Sequence, residues 1–197
     1  GRTFQQMSEL SVLRAADYPR MPWKNGGGST EEITRDAGEG LDGFGWRLSI
    51  ADIGESGGFS RFDGYQRVIT VLQGAGMHLQ VDGEQSRALL PFDAFAFKGD
   101  SEVSCRLIDG PIRDFNLIYA PQRYTARLQW LDATTPQRLF SSAHTVLVFS
   151  AGEVHVGLGN TCHEHLGLYD CLQLSGNRQL LEITLTGLCC VIELSAV

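Results

Sequence analysis

An all-β fold of sandwich or jelly-roll barrel type is what this sequence predicts, on three observations. From Trp46 onward, short apolar or alternating segments follow one another at strand spacing, and helical periodicity is nearly absent. Between them stand turn signals that supply the positive φ of tight hairpins, such as "FDG" at 62–64, "VDGE" at 81–84, "IDGP" at 108–111 and "SGN" at 175–177. A weak internal echo also links the halves: "VLQGAGMHLQVDGE" precedes "FAFKGD" much as "LVFSAGEVHVGLGN" precedes "HLGLYDCLQLSGN". Two jelly-roll barrels would give that echo, and one double-sheet domain would too.

In chain order the predicted strands are 46–53, 66–74, 77–81, 94–97, 102–108 and 113–120, then 126–131, 144–150, 154–159, 169–174, 180–187 and 188–194. A boundary falls near 121–125, so that residues 8–122 form an N-terminal barrel and 123–197 a C-terminal one. Residues 1–7 are expected to be a cloning remnant or a flexible N-terminus.

Composition narrows the function classes. Among 197 residues, 43% are hydrophobic and 20% charged, as in an ordinary globular protein. The formal net charge is −7 with no basic block, which leaves no electrostatic footprint for nucleic acid or an anionic membrane. "GRTFQQMSEL" lacks an apolar leader core and no later run reaches the roughly 18 apolar residues of a membrane span, so a cytoplasmic protein is expected. The five cysteines form no CxxC pair, and the adjacent Cys189 and Cys190 would point to opposite sheet faces. Reduced, buried thiols are the expected state.

The segment "PWKNGGGSTEEI", 22–33, raises the question of an anion cradle. It lacks the P-loop order, because Lys24 precedes the glycines, and it lacks the strand and helix that bracket a dinucleotide fingerprint. The three glycines are therefore expected to allow close backbone packing.

Four blocks, "MPWKNGGGSTEEI", "WRLSIADI", "GGFSRFDGYQRVITVLQGAGMHL" and "FKGD" leading to "DFNLIY", run in order from Pro22 to Tyr119. Together they resemble the HutD/Ves family of small bacterial cupin-like proteins. The resemblance implies a bicupin, two cupin-like double-stranded β-helix (jelly-roll) barrels, and a link to histidine utilisation. It further implies moderation of histidine catabolism by binding a pathway intermediate, with urocanate and formylglutamate as candidates. No cofactor is expected.

The residues suggest where such a ligand would sit. Arg67 shares strand parity with Ile69 and Val71 and would point into a barrel, where its planar, permanently charged fork suits either a small carboxylate or an internal acid. Lys24, Asn25 and Thr30 would form a rim over the barrel mouth, or else Trp23 plugs the core while the glycines let strands cross. Arg47 and Ser49 lie on one face of their strand and Trp46, Leu48 and Ile50 on the other. The apolar set is expected to take the core, leaving Arg47 as a surface or inter-sheet partner or a pocket residue. Asn116 shares parity with Asp114, which would either orient a pocket arginine or be solvated. The ligand-binding set is thus Arg67, Lys24, Asn25, Thr30, Arg47 and Asn116.

No His-x-His pair stands near "FSRFDGYQR", so the N-terminal barrel lacks a metal cupin's ligand set. The alternative is a cupin enzyme acting on a small acid, either a metal-independent isomerase or hydrolase, or a metal enzyme built on His163 and His165 with Cys162. That cluster, Cys162-His163-Glu164-His165, is expected in a loop. The expected partner is a small carboxylate, with no nucleic acid or membrane, and a homodimer is compatible with the sequence.

Overall fold

The computed structural model describes residues 8–197 and confirms an all-β protein, with no α-helix among those residues. The expectation for residues 1–7 lies outside them. Strands β1 (Glu9–Leu13), β2 (Arg20–Pro22), β3 (Gly28–Arg35), β4 (Trp46–Ile53), β5 (Gly57–Gly58) and β6 (Gln66–Gln73) come first. They are followed by β7 (Met77–Val81), β8 (Glu84–Gln85), β9 (Phe95–Lys98), β10 (Val103–Leu107), β11 (Ile112–Tyr119) and β12 (Tyr124–Ser141). The last are β13 (Thr145–Ser150), β14 (Val154–Leu158), β15 (Cys162–Leu166), β16 (Cys171–Ser175) and β17 (Leu181–Ala196).

Contacts divide the described residues into two units, one of residues 8–17 plus Thr125–Val197, the other Tyr18–Tyr124. The sequence reading put its boundary at 121–125. β1, which that reading grouped with 8–122, instead pairs antiparallel with β16, Val12 standing opposite Leu172.

The Tyr18–Tyr124 unit has a six-stranded sheet in the order β2-β3-β4-β11-β6-β9 and a four-stranded sheet in the order β5-β10-β7-β8. They share one core: Ala51, Ile53, Ile69 and Val71 from the first meet Met77, Leu79, Val103 and Cys105 from the second. In the larger sheet the registers are Arg67 opposite Ile118, Ile118 opposite Arg47, and Asp114 opposite Ala51. Directly paired residues project from the same face. One face therefore carries Arg67, Ile69 and Val71 with Asp114 and Asn116, and with Arg47, Ser49, Ala51 and Ile53. This is the core-facing side.

That register corrects the expectation for β4. Leu48 and Ile50 are buried, but on the opposite face, together with Phe115 and Leu117. A strand buried on both sides offers no apolar-versus-polar contrast, so choosing the larger side chains selected the wrong face.

The other unit curls one seven-stranded sheet, β1-β16-β13-β17-β14-β15 with β12 against β17, around Val146, Val148, Val156, Leu172, Leu185 and Val191. Pro136 lies within β12, which among the described residues pairs with β17 on one side and so can lack a backbone donor.

Candidate ligand site

Arg67 enters the interior because its strand follows a loop fixed by two short motifs. Gly99 N donates to Tyr65 O, Phe62 N donates to Gly99 O, and Gly64 N donates to Asp100 Oδ1 at 2.8 Å. A Cβ on Gly99 would lie 2.2 Å from Phe62 O, so "FKGD" accepts no side chain there. The "FSRFDGY" loop is thereby held over the start of β6.

Beneath it, the Arg67 guanidinium lies among three rings, 5.0 Å from the centroids of Phe62 and Phe97 and 5.7 Å from Phe59. Its Nη1 donates to Ser60 O at 2.9 Å, and the residue is 9% exposed. Among the described residues no carboxylate lies within ion-pair distance of it. Burial pulls its pKa down, to about 10, against the opposing pull of the Asp114 charge, so it remains a cation at neutral pH.

Two residue pairs along the same face lies Asp114, fully buried. Asn116 Nδ2 donates to its Oδ1 at 2.9 Å, while Oδ2 is sealed without a hydrogen-bond partner. Burial raises its pKa to about 7; the Asn116 hydrogen bond and the Arg67 charge oppose the rise, and Asp52 adds to it. Sequence reading left Asp114 as either the acid that orients a pocket arginine or a solvated one; its full burial removes the second.

Farther across the sheet, Glu32 binds both Arg35 and Arg47, the Arg47 Nε bond being 2.8 Å. A bulge between Glu32 and Thr34 puts Glu32 and Arg35 on one face. Burial works against ionisation of Glu32, but hydrogen bonds from Arg35 and Arg47 outweigh it and hold the carboxyl below its ordinary range. Two guanidiniums thus share one carboxylate, and Arg35 Nη1 is sealed without a partner. Arg47 is part of this cluster, not a surface residue.

The glycine-rich segment is the turn between β2 and β3. Gly26 has φ +79°, and a Cβ on Gly28 would sit 2.3 Å from Asp52 O, with the Trp23 ring about 3 Å away. Trp23 Nε1 donates to Thr30 Oγ1 at 2.8 Å, and Asn25 Oδ1 accepts from Gly27 N. Thr30 thus anchors the tryptophan, Asn25 closes the turn, and Lys24 is exposed. Asn25, Trp23 and Gly27 border a cavity of about 210 Å³, with Ile53, Phe59 and Cys105 also in its wall. Arg67 does not line this cavity. Phe59 belongs to both the cavity wall and the arginine cage, and Cys105 lies within electrostatic reach of Asp114.

The histidine cluster is in a strand, not a loop. In the β14–β15 ladder His155 faces His165, their ring centroids 4.8 Å apart, and His165 Nε2 contacts Glu153 Oε2. Cys162 packs against the apolar core, with strand parity opposite to His163 and His165. No group of three metal-ligating side chains is assembled among the described residues.

Curled antiparallel sheets with no α-helix among the described residues define a cupin-like fold; the fold is also shared at low identity with an Escherichia coli pirin, 10% identical with TM-score 0.67 over 95% of this chain and 99% of that one. The HutD family model matches residues 15–191, and the chain belongs to the HutD family, which associates it with histidine utilisation. It is similar to HutD from Pseudomonas fluorescens SBW25, with 69% identity, TM-score 0.87, and coverage of 96% of this chain and 100% of that one. An uncharacterised 21.2 kDa protein from the hutC 3′ region of Pseudomonas putida is 69% identical over 189 residues, 95% of this chain and 98% of the relative. Protein Ves of Escherichia fergusonii is 37% identical over 128 residues, 60% of this chain and 63% of Ves.

Proposed function

We propose that the Tyr18–Tyr124 barrel binds a small carboxylate metabolite without covalent chemistry, and that Arg67 receives the carboxylate. A pathway intermediate of histidine breakdown such as urocanate or formylglutamate fits the family's association, and binding it would let the protein moderate histidine utilisation. One observation carries the proposal: a buried guanidinium that, among the described residues, has one backbone acceptor and no carboxylate at ion-pair distance. A desolvated cation favours an anion, and a bidentate charge-assisted pair contributes roughly 1.5–3 kcal/mol. The nearest interior acid, Asp114, is poorly suited as its counterion because burial keeps it partly protonated near neutrality.

Interior charge adds support. The two arginines on Glu32 leave one uncompensated positive charge on the same face. Access would pass Phe59, the wall common to cavity and cage, with Asn25 and Lys24 on the turn beside it. A thermal-shift panel of urocanate, N-formylglutamate, formiminoglutamate and histidine tests this, since a ligand of the native state raises the melting temperature. At least one acid is expected to shift the wild type and not an Arg67→Met variant of normal melting behaviour; a flat response to all four would overturn the proposal.

A further inference from the structure

Asp114 is used by nothing described so far. It is wholly buried on the interior face, Asn116 fixes Oδ1, and Oδ2 has no partner. A buried carboxyl oxygen left bare is costly, and such groups are found where something else completes them. The neighbours do not: Val71 and Ala51 flank it on the adjoining strands, and Cys105 faces from the second sheet.

The charged groups around it fix its preferred protonation state in a complex. Arg67 is the cation along the same face, Asp52 lies on the opposite face of β4, and Glu32 with Arg35 and Arg47 sits farther across the sheet. If an arriving carboxylate neutralises Arg67, an ionised Asp114 would be left as a second desolvated anion. A protonated Asp114 leaves Arg67 and the one carboxylate it holds as a neutral pair, and gives Oδ2 a hydrogen to donate.

We propose that Asp114 is the second recognition group of this site, entering the complex as a neutral carboxyl that donates from Oδ2 to an uncharged acceptor on the ligand. The ligand class is then a small acid bearing a carbonyl oxygen or an unprotonated ring nitrogen apart from its carboxylate, and its binding takes up a proton. This rests on Arg67 holding the carboxylate.

Calorimetric titration with N-formylglutamate and with glutarate, which lacks the amide carbonyl, tests it, each in two buffers of different ionisation enthalpy between pH 6 and pH 9. The wild type is expected to prefer N-formylglutamate, to take up about one proton per ligand near pH 8, and to lose affinity roughly tenfold per pH unit above that. Asp114→Asn, isosteric and neutral, is expected to bind with no proton uptake and no such slope. Arg67-dependent binding that is proton-neutral in the wild type, or uptake unchanged in Asp114→Asn, would overturn the role of Asp114 and leave the carboxylate site standing. Absence of binding by the wild type, or binding indifferent to Arg67→Met, would remove both.

Discussion

Asn116 donates a 2.9 Å hydrogen bond to Asp114 two residues before it on the same strand face, and among the described residues no other hydrogen bond reaches this wholly buried carboxyl group. Unfolded, an aspartate titrates near 3.9; here burial raises it to about 7. Between those values the native state keeps a proton that the unfolded chain has released. The stability this residue contributes therefore falls as pH rises from about 4 to about 7. Asp114→Asn removes the titration, so its melting temperature should gain on the wild type from pH 4.5 to pH 7.5; a constant gap would contradict the burial argument.

Glu32 has the opposite sign. Its carboxyl is held below the ordinary range by Arg35 and Arg47, so its contribution is present above the unfolded pKa and is lost as pH falls through the folded value. Glu32→Gln should cost roughly 1–2 kcal/mol at pH 7, since it removes the negative charge two guanidiniums share and puts an amide NH2 where Oε2 accepted, and less as the pH falls through the folded pKa. Urea midpoints above and below that pKa measure this.

Within the glycine run, the positions should separate sharply. Gly28→Ala drives a Cβ into the β4 backbone at Asp52 O and should cost about 3 kcal/mol or more. Gly26→Ala meets open space but keeps a left-handed φ, at about 1 kcal/mol. Denaturant midpoints of both variants would test the ordering.

Thiol reactivity should follow burial. Cys171, Cys189 and Cys190 are raised by burial, Cys189 to about 12, while Cys162 is half-buried. Native protein should react with a thiol reagent first at Cys162, and with all five cysteines only after denaturation.

How much of this was legible in the sequence depends on how one-sided each strand is. β6, β7, β13 and β14 were read almost to the residue because their apolar runs are bounded by glycine turns. β3, "GSTEEITR", escaped notice: Glu31 and Glu32 are salt-bridged on opposite faces of the strand, and no apolar stripe marks it. β15 looked like a polar loop because its histidines face outward and only Cys162 and Leu166 mark the core side. Arg67 was aimed at the interior by parity alone, and Asn116 entered the ligand-binding set only through its parity with Asp114. The partners of Arg67 could not be, because Phe59, Phe62 and Phe97 reach it through a loop and a neighbouring strand. Lys24, Asn25 and Thr30 were recognised as a group, but two of the three side chains prove to organise their own turn.

The most direct measurement is a crystal structure of the protein grown with N-formylglutamate or urocanate. The account predicts the ligand's carboxylate paired with the Arg67 guanidinium inside the Phe59, Phe62 and Phe97 cage, with Asp114 Oδ2 within hydrogen-bond distance of its other polar group. Density for the acid elsewhere, with Arg67 still bound only to Ser60 O, would contradict it.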